Sequence, residues 1–157
     1  MINFFMICTM LVLALCGPAS AHIKMAFPVP FDAANLDTSP LQPSGSDYPC
    51  KKSSYKITAM NKIPVDKAVL LDFKGSATHN GGTCQLSISL DPEPHQQSQF
   101  KVIQTFQGSC PSAEGAGGLT FNIPKEFPNT ERATLAWTWF NQIVRDPQNH
   151  PKNDVIC

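Results

Sequence analysis

Apolar and polar residues alternate along several short stretches of this chain, and a period of two predicts β-strands. Residues 132–140 (RATLAWTWF) carry the strongest such signal, with Ala133, Leu135, Trp137 and Trp139 on one face. Residues 85–90 alternate as cleanly, with Leu86, Ile88 and Leu90 on one side and Ser87 and Ser89 on the other. Leu119, Phe121 and Ile123 repeat at every second position before Pro124. Residues 100–107 read as a further strand, and the apolar run at 68–73 as a buried one. Glycine and proline clusters (GGT, DPEP, GAGG, PKEFP) separate these runs, as turns require. Residues 22–54, rich in proline and serine, predict a long irregular segment packed over the strands. No helical period extends beyond a turn or two. Short alternating strands between turn signals predict an all-β, antiparallel sandwich of the immunoglobulin or fibronectin III kind, with long loops.

Composition adds the compartment. Residues 4–16 form an apolar run, followed by Gly17, Pro18 and the small-residue triplet Ala19-Ser20-Ala21, which is the pattern of a cleaved secretory signal over 1–21. The run is too short to span a bilayer comfortably. Cleavage after Ala21 leaves one domain over 22–157 that begins at His22, in a protein expected outside the cell and as a monomer. Acidic and basic residues number 12 each, so no net charge favours nucleic acid or an anionic membrane surface. Signal removal discards Cys8 and Cys16 and leaves Cys50, Cys84, Cys110 and Cys157. Four cysteines in an exported chain predict two disulfides, and three pairings are open. None shows the C-x-x-C spacing of a metal knuckle.

A histidine at the amino terminus is an unusual metal ligand. Its α-amine has an ordinary pKa of about 7.7–8.0, so a metal displaces the proton at neutral pH. Amine and imidazole then close one chelate. A second imidazole opposite completes three nitrogens, a set that suits copper and leaves positions open. His79, in the glycine-rich stretch SATHNGGTC beside a cysteine, reads on its own as a polar turn residue and is the candidate for that second ring. His95 (DPEPHQQ) reads as a turn residue, and His150, between Asn149 and Pro151, as a loop residue. The alternation around Trp137 and Trp139 favours core packing over an electron-transfer role. Tyr48 and Tyr55 flank Cys50 and would stack on sugar rings if exposed, while Lys51 and Lys52 read as solvated.

The segments HIKMAFPVPF, SPLQPSGSDYPCK, SATHNGGTCQLS, FKVIQTFQGSCP and LAWTWFN occur in that order. Together they resemble the auxiliary activity family 11 lytic polysaccharide monooxygenases, fungal chitin-active copper enzymes. The resemblance runs from His22 to about Asn141. It implies a sandwich core, one copper ion, and a histidine brace with His22 and His79 as the ligands and catalytic residues. It also implies Cys84–Cys110 and Cys50–Cys157 bridges, a chitin-like polysaccharide surface as substrate, and an external electron donor.

The chain departs from the family pattern after WTWFN. Members of the family continue with a short strand and a tyrosine three residues before a cysteine, on the axial side of the metal. Here NQIVRDPQNHPKNDVIC is longer, lacks tyrosine and puts Asp154 at that position, with Arg145, Asp146 and His150 in the insertion. A carboxylate is a harder, anionic donor that stabilises an oxidised ion and competes for an open position. Asp154 is therefore a candidate third metal residue. A brace completed by aspartate resembles secreted copper proteins that handle the metal without cutting polysaccharide. A metal-free polysaccharide-binding sandwich is a third class, and it leaves the histidine after the cleavage site unexplained.

Overall fold

The computed structural model describes residues 22–51, 55–108, 110, 111, 118–145 and 151–157, the side chains of 143–145 and 151–154 excepted. The expected signal segment at 1–21, Asp146 and His150 lie outside the described residues. Among those described run seven strands: β1 (Lys24–Phe27), β2 (Val69–Lys74), β3 (Gly82–Ser89), β4 (Lys101–Phe106), β5 (Leu119–Phe121), β6 (Thr134–Arg145) and β7 (Pro151–Ile156). A 3-10 turn covers Ala33–Asn35. Strands β1, β2 and β5 form one antiparallel sheet in the order β1-β2-β5, and the other four form a second in the order β4-β3-β6-β7. Among the described residues no helix is long and apolar enough to cross a membrane.

The two sheets enclose one apolar core. Met25, Leu71, Phe73 and Phe121 come from the smaller sheet, and Leu86, Trp137, Trp139 and Ile156 from the larger. Alternation supplies these faces: in β2, Val69, Leu71 and Phe73 are buried while Leu70 and Lys74 are exposed. Each large side chain fully withdrawn from water contributes about 1.5–3 kcal/mol.

The larger sheet is also covered on its outer face. Ser87 and Ser89 are buried as deeply as their apolar neighbours, and Leu90, predicted on the inner face, is 55% exposed just past the end of β3. The cover comes from the proline-rich segment: Phe31, Leu41, Cys50 and Tyr55 pack with Ala136 and Val155. Ser89 Oγ accepts the Asp91 backbone N–H at 3.2 Å, so its burial leaves a hydrogen bond in place. Disulfides Cys50–Cys157 and Cys84–Cys110, the pairs the resemblance implies, tie that cover to the end of β7 and β3 to the chain beyond β4.

Two strands escape the alternation rule. Strand β1 lies within the stretch expected to be irregular and is four residues long. Strand β7 is a polar sequence containing Pro151, organised by pairing with β6 (Trp137↔Ile156, Trp139↔Asp154).

Candidate metal centre

His22 stands immediately before Ile23 and β1, at the mouth of the β2–β3 connection. Strand β1 runs antiparallel to β2 (Lys24↔Lys74, Met25↔Phe73), and His22 itself makes a parallel bridge to Ala77. Gly75 makes that approach possible. Its φ is +118°, and a Cβ there would lie 2.0 Å from the His22 carbonyl oxygen. Only glycine fits. His22 is exposed, whereas Ile23 is buried in the core and anchors it.

The same connection carries His79. The Gly81 N–H donates to the Thr78 carbonyl at 2.7 Å, and the two residues between, His79 and Asn80, have φ of 45° and 58°. Positive φ at both central positions is the signature of a type I′ turn. Histidine and asparagine are among the few non-glycine residues that tolerate this region. Gly82, at φ +142°, then starts β3 with its Cα against β6: a Cβ there would meet the Phe140 carbonyl at 2.2 Å. One seven-residue link between the sheets, from Gly75 to Gly81, thus registers both histidines.

The rings of His22 and His79 have centroids 6.5 Å apart and planes inclined at 49°. Metal–imidazole bonds are about 2.0–2.1 Å. With each nitrogen about 1.2 Å from its ring centre, two imidazoles on opposite sides of one ion have centroids about 6.4 Å apart. The centroid spacing matches that of two imidazoles sharing one ion. An all-nitrogen set with open positions suits copper. The α-amine becomes a third donor only in a chain that begins at His22. Among the described residues no group of three His, Cys, Asp or Glu side chains assembles here or elsewhere.

The remaining sequence candidates fall in different places. Asp154 is brought by register opposite Trp139, whose ring lies against His79, and the Asp154 side chain is outside the described residues. Arg145 ends β6, its side chain likewise outside them. His95 sits in the β3–β4 turn, 3.7 Å from the Asp91 carboxylate. The Asp91 carboxyl is held below the usual carboxylate range, first by the Ser98 hydroxyl, then by the Glu93 backbone N–H. Tyr55 packs edge-on to Phe31 (5.0 Å, 72°), and its hydroxyl donates to the Pro94 carbonyl. Burial raises its phenol pKa, with Asp91 and Glu93 adding to the shift, so Tyr55 belongs to the packing. Tyr48 is 42% exposed. Trp137 and Trp139 are both in the core.

Two residues at the site were missed in the sequence. Gly75 gives no signal because single glycines in loops are common. Trp139 reads as a core residue, and only the folded turn brings His79 against it.

No family model matches the chain. Three curated fungal proteins do resemble it. An AA11 family lytic polysaccharide monooxygenase of Aspergillus oryzae is 39% identical over 145 residues, 83% of this chain and 34% of that protein. An AA11 family lytic polysaccharide monooxygenase B of Aspergillus fumigatus is 39% identical over 78% of this chain and 32% of its own length. The A form of Aspergillus fumigatus is 37% identical over 80% of this chain and 59% of its own. The match thus spans about a third of the length of two relatives and under two thirds of the other.

Proposed function

The chain belongs, by homology over about four fifths of its length, to the AA11 family of lytic polysaccharide monooxygenases, and on that premise we propose a secreted copper protein that oxidatively cleaves glycosidic bonds in chitin or a similar polysaccharide. His22 would hold the ion through its α-amine and its ring, and His79 through its ring. The observation that carries this reading is the 6.5 Å spacing of the two rings, with exposed His22 bridged to the link that carries His79.

Copper, when bound, supplies the redox chemistry with dioxygen and electrons from an external donor. The chain supplies the rest. The amine of His22 releases its proton on binding and presents a lone pair. Gly75 and the bridge to Ala77 fix where that amine lies. The Thr78–Gly81 turn fixes the opposing ring. The exposure of His22 supports a surface position for the ion, where an insoluble, flat substrate could reach it.

A second reading is supported by the register of β7. Backbone register sets Asp154 opposite Trp139, the residue whose ring lies against His79; were its carboxylate to complete the brace, the protein would bind or deliver copper without cutting sugar. One comparison tests both readings: protein beginning at His22 against protein that retains Ala21. Copper affinity by calorimetry should collapse with the extra residue, and Cu(II) paramagnetic resonance should lose one nitrogen. Equal affinity of the two forms refutes the brace. Release of oxidised oligosaccharides from chitin with a reductant favours the enzyme, and tight copper binding with no release favours the handling role.

A further inference from the structure

We propose that Trp139 is a positioning residue for His79, holding its imidazole by ring stacking and the end of its turn, at Gly81, by a hydrogen bond; the proposal rests on reading His79 as a metal ligand. The centroids of His79 and Trp139 lie 5.5 Å apart with planes at 28°. That is offset stacking, within the range of about 4.5–7 Å in which aromatic pairs gain beyond burial alone. The Trp139 indole N–H donates to the Gly81 carbonyl at 3.3 Å, two residues beyond His79. One side chain thus grips the turn from the ring and from behind.

Trp139 is itself well held. It is 3% exposed, stacked on Trp137 at 5.9 Å, and paired across the sheet with Cys84, whose sulfur is bonded to Cys110. Trp137 is a useful contrast. It is equally buried, but its indole N–H has no acceptor among the described residues, and it packs against the rings of Phe73 and Trp139. Core packing alone asks nothing more of Trp137. Trp139 has both polar and aromatic contacts directed at the one turn that carries a candidate ligand. A ligand must sit within about 0.5 Å of its productive position, and a loop imidazole with left-handed φ needs such support.

The test uses protein beginning at His22, first without metal. In the wild type, ring current from Trp139 should shift the His79 imidazole protons upfield, with a nuclear Overhauser contact between the two rings. Trp139→Leu should abolish both, weaken Cu(II) binding about 10–100-fold and broaden or alter its paramagnetic resonance spectrum. Trp139→Phe keeps a stacking face and should rescue the imidazole shift and most of the affinity. Phe121→Leu, a core change in the other sheet, should lower stability without moving either readout. Unchanged His79 signals and affinity in Trp139→Leu overturn the proposal. If that variant does not fold, absence of the inter-ring contact in the wild type overturns it. If the imidazole shift behaves as expected but the wild type binds no copper, the stacking stands and the ligand assignment of His79 fails.

Discussion

Replacing Gly75 with alanine separates the geometry of the site from the stability of the fold. The added Cβ would lie 2.0 Å from the His22 carbonyl oxygen, 2.8 Å from its carbonyl carbon and 3.0 Å from the Ile23 Cα. All three are backbone atoms, so no side chain can swing aside. Restoring an ordinary contact to the oxygen means moving the terminus by about 1 Å, twice the tolerance of about 0.5 Å for a working ligand set. A φ of +118° also costs an alanine about 1–3 kcal/mol. At about 4 °C per kcal/mol for a domain of this size, Tm should fall by about 4–12 °C. Gly45→Ala is the control. Gly45 has φ +70°, and an alanine methyl there would meet nothing within 4 Å, so it carries the backbone penalty without the collision. Calorimetric Cu(II) affinity of protein beginning at His22 should drop at least about tenfold for Gly75→Ala and hold for Gly45→Ala. Wild-type affinity and an unchanged Cu(II) spectrum in Gly75→Ala, beside a Tm loss matching the control, would refute the claim that this glycine sets the position of His22.

Other outcomes follow from the same contacts. Replacing both Cys50 and Cys157 with serine frees the proline-rich cover and the end of β7; with a sequence separation of 107, denaturant melts should show a loss near the upper part of about 2–5 kcal/mol. Ser98→Ala removes the main cause of the depressed Asp91 pKa, so NMR titration should find that carboxyl nearer its ordinary value. A depressed folded pKa stabilises above the ordinary value and loses that contribution as pH falls through the folded one, so the variant's Tm should depend less on pH on the acid side. Asp154→Asn should weaken Cu(II) binding and change its resonance spectrum if the carboxylate completes the brace, and leave both alone if the enzyme reading holds. Trp137→Phe should cost little in hydrogen bonding, since its indole N–H lacks an acceptor among the described residues, and chemical denaturation should show a modest packing loss of about 1–2 kcal/mol.

The core was legible because burial on one face enforces a period of two. Trp137 and Trp139, Leu86 and Ile88, and Phe121 with Ile123 stand where alternation puts them. Where burial is two-sided the rule loses its grip: Ser87 and Ser89 look like a solvent face, yet they are buried on the sheet that Phe31, Leu41 and Tyr55 cover. Strand β7 has no pattern of its own because its pairing with β6 is backbone chemistry that tolerates polar side chains. His22 and His79 stood as candidates from the chemistry of an amino-terminal histidine and from the family resemblance. Their proximity was not, because it depends on a glycine contact and a left-handed turn, both far along the chain from His22.

Strand β1 forms the outer margin of the smaller sheet, is only four residues long, and starts two positions after His22. In protein that begins at His22, that short border strand is where the sandwich would begin to peel. An ion clasped between His22 and the link into the larger sheet would rivet that corner shut. Free metal at about a hundred times its dissociation constant adds about 2.7 kcal/mol to a fold that binds it only when native. Metal supply and resistance to proteases would then rise together, so a metal-starved population would be cut sooner than a loaded one.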